Sequence, residues 1–261
     1  MYPNAYYNYL KKRKAKYQEQ KAYVQRKIVE LYHRENGVPG YRMMCDYLKQ
    51  SNIFYSCKTV YRYMIELGLR SIVRKKKLSY VKGITNKVFP NLLNQNFKTE
   101  LPNKIWCTDF TYLPQKNGTM HYNCTIIDLY DRSAVATLNG KHITTELAIE
   151  TLKIALKRHK PGKGLILHSD QGSQFTSKVF NDFCGGNHVQ QSMSRTGCPY
   201  DNAPMERFYN TLKNEYFNLF TFNSSDELNQ GIYEFVYVKY NHVRPHSYNG
   251  GLTPYKARCA V

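Results

Sequence analysis

The sequence lacks the features of exported and membrane-spanning proteins. It contains no stretch of about 18 consecutive apolar residues, the approximate length that marks a membrane-spanning helix. Its first residues do not form the apolar segment of a signal peptide. We therefore expect an intracellular, cytoplasmic protein.

Cysteine is present, but not in the pattern of a disulfide framework or a zinc ribbon. The seven cysteines are an odd number, and no two of them form a C-x-x-C pair. This usage disfavours both kinds of site and favours a reducing compartment. The length of 261 residues and the 42% of hydrophobic residues are sufficient for one large and one small folded domain.

Acidic residues are scarce. The chain has 19 Asp and Glu against 38 Lys and Arg, which gives a formal net charge of +19. Residues 1–90 contain 20 basic and 5 acidic side chains, whereas residues 91–261 contain 18 and 14. This uneven excess predicts a polyanion bound mainly by the N-terminal third, and nucleic acid is the commonest polyanion. The alternative is a solubilising surface, which the self-repulsion of so many like charges disfavours.

The N-terminal third predicts three helices. Residues 8–34 show the apolar period of a long basic helix, and Asn36-Gly37 ends it. A second helix is predicted from Tyr41 to Lys49, and a third begins after Ser56 and ends at Gly68. Two short helices joined by a tight turn favour a helix-turn-helix domain over residues 36–70, preceded by the basic helix of residues 1–35.

The last of these helices carries the side chains that we expect to face a DNA groove, namely Lys58, Thr59, Tyr61 and Arg62. The alternative is a basic helical bundle that only packs against the rest of the chain. Residues 71–103 are polar and show no sustained period, which predicts a basic linker. Its run Lys75, Lys76 and Lys77 would lie along a phosphate backbone or form part of a solvated tether, and the two roles are compatible.

The pattern changes at Lys104 to that of an α/β domain. Residues 105–113 alternate as a strand does, with Asp109 on a face otherwise made of Ile, Cys, Thr and Leu. Asn117-Gly118 predicts a hairpin turn to a second strand, and a third strand follows over residues 134–138. Helices then alternate with two further strands, which predicts a sheet with helices packed on it.

Three carboxylates stand where an apolar or turn residue is typical. Asp109 is in the middle of a strand, Asp170 follows the short apolar strand of residues 165–167, and Glu206 is in the first turn of a helix entered through Pro204. A desolvated carboxylate is costly unless a cation or a donor compensates it. The alternative is that all three are ordinary surface or structural charges.

Converging carboxylates would provide hard oxygen ligands for Mg²⁺ or Mn²⁺. Two such ions, about 3.5–4 Å apart, can activate the attacking oxygen and stabilise the leaving oxygen in a displacement at phosphorus. In a basic protein, such an acidic pocket could meet a phosphate through the metal ions. The residues therefore predict a two-metal site made of Asp109, Asp170 and Glu206.

At these residues the sequence resembles the transposases of insertion sequences with a retroviral-integrase-like core, in particular the second-frame product (OrfB) of the insertion-sequence-three family. The resemblance covers about residues 36–258, and 35 residues lie between Asp170 and Glu206, the D,D(35)E spacing. The matching motifs are WCTDFTY at 106–112, HSDQGSQF at 168–175, SMSRTG at 192–197, YDNA at 200–203, ERF at 206–208, LKNE at 212–215, YNHVRPH at 240–246 and LTP at 252–254.

The resemblance implies a ribonuclease H-like core over residues 104–222 with a C-terminal helical extension over residues 223–261. It implies that the three acidic residues bind the metal ions, that water first frees a 3′ hydroxyl at a transposon end, and that this hydroxyl then attacks a second phosphodiester without a covalent protein intermediate. The implied partners are the terminal inverted repeats and target DNA in the bacterial nucleoid, a homodimer or higher oligomer on DNA, and an upstream-frame DNA-binding protein that is fused to or paired with this chain.

Further DNA contacts are expected around this centre, at Gln171, Gln174, Arg195, Asn210, Lys213 and Arg244. Asn210 and Lys213 share a helix face with Glu206, although a solvated lysine is as good an interpretation. Arg244 would reach DNA or an acidic side chain. A zinc site at His242 and His246 is disfavoured, because it lacks a third ligand. Rival functions are a DNA-binding protein with structural carboxylates, and a ribonuclease or Holliday-junction nuclease of the same fold.

Overall fold

A computed structural model of the chain describes residues 13–72, 87–115 and 118–260. The chain divides into two compact units, Met1–Lys75 and Lys76–Val261. The lysines at positions 75–77 lie outside the described residues. Within the described ranges, no helix combines the length and the hydropathy that crossing a bilayer requires.

The N-terminal unit is a bundle of three helices, α1 (Arg13–Arg34), α2 (Tyr41–Gln50) and α3 (Cys57–Glu66). Residues 8–12 of the predicted first helix lie outside the described residues. The predicted end of α1 and the predicted limits of α2 and α3 are confirmed by their local chemistry. Asn36 and Gly37 have positive φ after α1, the Ser56 side chain accepts a hydrogen bond from the Thr59 backbone N–H, and Gly68 has φ +69° after α3. The three helices share a core of Val24, Ile28, Leu31, Met44, Leu48, Val60 and Met64, among other residues.

The second unit is built on a five-stranded sheet. Its strands are β1 (Ile105–Pro114), β2 (Met120–Asp128), β3 (Ala134–Gly140), β4 (Ile166–Ser169) and β5 (Gln190–Met193), in the order β3-β2-β1-β4-β5. β1, β2 and β3 pair antiparallel, whereas β4 and β5 extend the sheet in parallel with β1. The predicted antiparallel start followed by alternating helices and strands is confirmed.

Helices cover both faces of this sheet. On one face, Trp106 of β1 packs with α4 (Thr145–His159), the single turn α5 (Ser173–Thr176) and α6 (Lys178–Gly186). On the other, Cys107 and Leu113 pack with α7 (Ala203–Glu215), α8 (Ser225–Tyr233) and the π-helix Glu234–Val243. The predicted alternation of β1 is confirmed, but both of its faces are buried.

Within the second unit, the residues before β1 pack against the sheet. Leu93 is buried in the core, and the Pro90 carbonyl accepts a hydrogen bond from the Met193 backbone N–H at the edge of β5. The Ser192 hydroxyl accepts a hydrogen bond from the Leu92 backbone N–H. Within residues 87–103, which their polar composition suggested as linker, residues 89–92 therefore cover the edge strand of the sheet.

The C-terminal segment closes the second unit. The Ser224 side chain caps α8 by accepting a hydrogen bond from the Glu227 backbone N–H, and the helix continues directly as the π-helix before Pro245. The last helix, α9 (Pro254–Arg258), ends with a guanidinium that pairs with the fully buried carboxylates of Asp128 and Asp131. This ion pair ties the end of the chain to the turn between β2 and β3.

Candidate active site

The strand register brings Asp109 and Asp170 side by side. In the parallel ladder between β1 and β4, Cys107 pairs with His168. Asp109 and Asp170 each follow two residues later, so they continue the same register on the same face. Neighbouring strands lie about 4.8 Å apart, and the two aspartates therefore emerge next to each other where β4 ends.

The third carboxylate comes from α7. Glu206 is in its first turn, and Tyr209 follows three residues later on a neighbouring part of the same face. The buried Tyr209 hydroxyl donates a hydrogen bond to the Asp109 carbonyl and accepts one of 3.0 Å from the Thr125 backbone N–H. One side chain thereby fixes α7 against β1 and β2 beside Asp109.

A cleft of about 350 Å³ collects these three side chains. Its walls are formed by Asp109, Asp170 and Glu206 together with Gln171, Ser194, Asn202 and residues 195–199. Asp109 and Asp170 are half-buried, and Glu206 is exposed as a residue. Partial burial of its carboxyl group nevertheless raises the pKa of Glu206. The cleft thus joins a strand, a strand end and a helix start in one acidic pocket.

Each aspartate has one oxygen held by the backbone. Asp109 Oδ1 accepts a hydrogen bond of 2.7 Å from the Phe110 N–H, and Asp170 Oδ1 accepts one of 2.8 Å from the Gly172 N–H. The φ of Gly172 is negative, so any residue could adopt its backbone conformation. Glycine is required because a side chain at this position would collide with its neighbours. A Cβ there would lie 2.9 Å from Asp170 Oδ1 and 2.2 Å from Gln174 Nε2.

The far wall of the cleft is organised by Asp201, which is fully buried. Its carboxylate accepts hydrogen bonds from the Arg195 backbone and guanidinium, from Gln95 and from Asn91. The Arg195 and Gln95 hydrogen bonds hold the pKa of Asp201 well below its usual range. Arg195, predicted to bind DNA, is therefore engaged with Asp201, although 59% of its side chain is exposed.

His168 links this wall to the sheet. Its Nε2 is 2.9 Å from the Asp201 carbonyl, which can only accept, so Nε2 carries the proton. Its Nδ1 lies 2.9 Å from the Ser192 hydroxyl. Burial lowers the pKa of His168, which favours a neutral ring whose Nδ1 accepts from Ser192. The residues before Asp170 are thus fixed to the turn before α7.

The other predicted DNA contacts near the cleft differ in their surroundings. Gln171 lines the cleft and bridges two loops, donating to the Ser194 carbonyl and accepting from Thr196. Gln174 is half-buried next to Gly172. Asn210 is exposed and Lys213 half-buried on α7. Arg244 is buried in a two-pronged ion pair with Glu215, which is the acidic alternative that the sequence left open.

In the N-terminal unit, the predicted contacts lie on the outer side of α3. Lys58, Tyr61 and Arg62 are exposed, and Thr59 is half-buried. The Thr59 hydroxyl lies 2.9 Å from the Ser56 hydroxyl in the helix cap. This face of α3 is therefore accessible to solvent, whereas Thr59 takes part in the cap at the start of the helix.

The two C-terminal histidines make other contacts. The His242 ring lies 4.3 Å from that of Tyr255, and His246 Nδ1 accepts a hydrogen bond from the Tyr248 N–H. Within the described ranges, no group of three or more His, Cys, Asp or Glu side chains is arranged to hold a metal ion. The three carboxylates line the same cleft, but they are not arranged as such a group.

Sequence reasoning gave no role to Asp201 or Tyr209. Apart from Arg195, six residues before Asp201, the partners named above are 84 to 110 residues away, at Asn91, Gln95, Asp109 and Thr125, and only the fold brings them together. The one available signal for Tyr209 is its position three residues after Glu206, which places it beside that carboxylate on a helix.

Known families match both units. A family model described as Integrase core domain matches residues 99–199, a second of the same description matches residues 187–254, and an HTH-like domain matches residues 18–77. A chain of the simian T-cell lymphotropic virus intasome in complex with PP2A regulatory subunit B56 gamma superimposes with a TM-score of 0.52 at 19% identity, over 68% of this chain and 59% of that one. The predicted ribonuclease H-like fold with an N-terminal helical domain is confirmed.

Bacterial relatives extend over nearly the whole chain. The transposase for insertion sequence element IS904 of Lactococcus lactis is 35% identical over 237 residues, which are 90% of this chain and 93% of the relative. Transposase InsF for insertion sequence IS3A of Escherichia coli is 31% identical over 230 residues, 87% of this chain and 79% of the relative. Together with the integrase core and the HTH-like domain, these similarities show that the chain belongs to the insertion-sequence transposases of the IS3 family.

Proposed function

We propose that this transposase cleaves DNA strands at the ends of its element and joins them to other DNA, with Asp109, Asp170 and Glu206 as the catalytic, metal-binding carboxylates. The observation that carries the proposal is the shared cleft, in which the β1–β4 register sets two aspartates side by side and α7 adds the glutamate. The acidic pocket lies in a strongly basic chain. Cations bound by the carboxylates would allow this pocket to bind a phosphodiester.

The residues of the cleft suit two Mg²⁺ or Mn²⁺ ions. All three candidate ligands are carboxylates, the donors that these hard cations prefer, and the cleft leaves room for water and a phosphate. When bound, such ions activate an attacking oxygen and stabilise a leaving one. The chain itself orients the oxygens, because the N–H groups of Phe110 and Gly172 hold one oxygen of each aspartate and Tyr209 anchors α7.

The reaction would proceed by direct attack on phosphorus. Water would attack at the element end, and the freed 3′ hydroxyl would attack a second phosphodiester. Among the described residues that line the cleft, the one serine, Ser194, donates its hydroxyl hydrogen bond to the Ser169 carbonyl. Beside the cleft, the Tyr209 hydroxyl is occupied by backbone groups. We accordingly assign no covalent intermediate.

A cleavage assay with different metal ions tests this function. The substrate is a duplex carrying the end of the element that encodes this chain. We expect cleavage and joining with Mg²⁺ and Mn²⁺, binding without cleavage with Ca²⁺, and loss of both reactions when the divalent ions are chelated. Full activity in chelator would exclude the metal mechanism, and cleavage of RNA in place of this DNA would favour the ribonuclease alternative.

Gly172 provides a local test of the site. Gly172→Ala is expected to lower the cleavage rate about 10- to 100-fold, because the new methyl group displaces the loop that holds Asp170 by a fraction of an ångström to one ångström. The rate is measured at saturating Mg²⁺, with thermal unfolding as the test of folding. The matched control is Gly162→Ala, where a Cβ meets nothing within 4 Å. A fully active Gly172→Ala enzyme would contradict the tight fit.

We also propose that the N-terminal unit grips DNA through the exposed face of α3. Replacing both Lys58 and Arg62 with Gln is expected to weaken binding of the element end and to reduce the slope of log K against log salt by about 0.9 for each lost phosphate contact. Binding is followed by fluorescence anisotropy over a salt series. Lys27→Gln, on α1 and paired with Glu30, is the control for removing one positive charge outside this face. A slope that stays at the wild-type value would place the phosphate contacts elsewhere.

The assembly that acts on DNA is proposed to be a homodimer or a higher oligomer, since two element ends must be processed together. The fusion to or pairing with an upstream-frame protein belongs to the same proposal. Sedimentation of the DNA complex tests the assembly, and a single chain bound to two ends would contradict it.

A further inference from the structure

A second cavity, of about 380 Å³, lies beside the first turn of α7. Ala203, Pro204 and Arg207 of α7 form one wall, and the remaining walls include Arg132, Tyr240, His246 and Tyr248, with Phe97 from the segment before β1. Neither the metal cleft nor the proposed reaction uses any of these side chains.

Arg132 is built rigidly into this cavity. Its φ of +64° belongs to the turn in which its N–H donates to the Asp128 carbonyl. Nη2 donates to the Phe97 carbonyl at 2.8 Å, and the guanidinium lies 4.0 Å from the centre of the Tyr248 ring. The residue is only 9% exposed, and its Nη1 has no hydrogen-bond partner. A buried donor left unpaired costs free energy, which an anionic or carbonyl ligand would recover.

The charge of the cavity is positive. Among the described side chains, no carboxylate forms an ion pair with Arg132 or Arg207, whereas the neighbouring Arg244 is neutralised by Glu215. Burial, with the nearby charges of Arg244, Arg132 and Arg207, lowers the pKa of His246 to about 3 and keeps that ring neutral. Two guanidinium groups thus remain for one ligand, and guanidinium groups match phosphate oxygens well.

The walls are aromatic as well as basic. Tyr248 is 39% exposed with one ring face covered by Arg132, and Tyr240 and Phe97 add apolar surface. Aromatic rings next to arginine are the surfaces on which proteins stack unpaired bases. A phosphate alone would need no such walls, so the chemistry of the cavity fits a whole nucleotide.

The cavity and the metal cleft lie on opposite sides of the first turn of α7. Asn202 and Glu206 line the cleft, whereas Ala203, Pro204 and Arg207 line the cavity, so the first turn of α7 separates the two. A helix is about 10 Å across and one DNA strand advances about 3.4 Å per nucleotide, which makes the separation about three nucleotides.

We propose that this cavity binds one unstacked nucleotide of the DNA strand whose scissile phosphate lies in the metal cleft. Arg132 and Arg207 hold its phosphate, and its base stacks on Tyr248. The inference rests on the proposed function, because it takes the cleft as the site of the scissile phosphate. It adds a binding site, made of named residues, that holds one base outside the DNA double helix near the point of cleavage.

Fluorescence of 2-aminopurine tests the inference, since this base brightens when it leaves the stack. Duplexes carrying the element end contain 2-aminopurine at one position at a time around the scissile phosphate, and Ca²⁺ allows binding without cleavage. The wild-type protein is expected to brighten a position about three nucleotides from that phosphate. Tyr248→Leu and Arg207→Gln should each abolish the signal and lower the affinity about 5- to 10-fold, the first through loss of a stacking contact and the second through loss of a phosphate contact.

Controls separate this inference from the proposed function. Tyr248→Phe keeps the stacking ring and should keep the signal, as should Lys157→Gln, which removes an exposed charge on α4. Cleavage of the same duplexes is measured in Mg²⁺. The nucleotide site is wrong, while the catalytic assignment stands, in either of two outcomes. In the first, the wild-type protein cleaves the duplexes but raises the 2-aminopurine fluorescence at no position. In the second, Tyr248→Leu and Arg207→Gln raise that fluorescence as much as the wild-type protein does. If the variants instead lose self-association with the signal intact, the cavity binds another protein chain.

Discussion

Asp109→Asn, Asp170→Asn and Glu206→Gln are each expected to abolish strand cleavage and joining while leaving DNA binding nearly intact. Each substitution keeps the shape of the side chain and removes one charged oxygen ligand from the shared cleft. Losing several kcal/mol of charge stabilisation in the transition state lowers a rate tenfold for each ~1.4 kcal/mol, so we expect a fall of at least about 10³-fold. Binding persists because residues 1–90, with 20 basic and 5 acidic side chains, carry most of the net positive charge of the chain.

The measurement is single-turnover cleavage of the element end in Mg²⁺, with binding measured in Ca²⁺. Asp182→Asn is the matched control, because Asp182 is an exposed carboxylate on α6 outside the cleft. It should cleave at the wild-type rate. If the three cleft variants retained the wild-type rate, the carboxylates would be structural, and the chain would be a DNA-binding protein of this fold.

Arg258→Ala is expected to cause a large loss of stability in the second unit. Arg258 pairs with Asp128 and Asp131, whose side chains are fully buried, and burial already raises the pKa of Asp128. Removing one partner of a buried ion pair leaves uncompensated charge, at a cost of about 3–5 kcal/mol. In a unit of this size, that corresponds to a fall of roughly 10 °C in the melting temperature.

Thermal unfolding followed by circular dichroism checks this result. Arg158→Ala is the control, since Arg158 is an exposed arginine at the end of α4 with Tyr237 as its aromatic neighbour. It should shift the melting temperature by far less. Equal shifts for the two variants would show that the buried pair does not hold the C-terminus to the sheet.

Much of the fold followed from local sequence patterns. The alternation of residues 105–113, the hairpin glycine at 118 and the caps at Ser56 and Ser224 each depend on neighbours within a few residues. Such signals can be read without knowing the tertiary structure. Asp109 and Asp170 were recognisable for a similar reason, because a mid-strand aspartate and a residue at a strand end are unusual positions that need a compensating role.

Other features depend on partners far away in the sequence. Residues 87–103 looked like a linker because their composition is polar, yet Asn91 and Gln95 use that polarity to bind Asp201, more than 100 residues away. The sequence predicts a DNA contact for Arg195, and for Arg244 either DNA or an acidic side chain. Their partners, Asp201 and Glu215, are set by the packing of α7 and its entry turn. Charge is visible in a sequence, whereas its pairing is a tertiary property.

Asp109, Asp170 and Glu206 are proposed to act together on divalent ions in one cleft. A crystal structure of the protein grown with Mn²⁺ measures this directly through the anomalous scattering of the ion. We predict two Mn²⁺ peaks about 3.5–4 Å apart, with oxygens of all three carboxylates as ligands. Mn²⁺ bound elsewhere with the cleft empty, or held without any one of the three side chains, would show that the three carboxylates do not form one metal site.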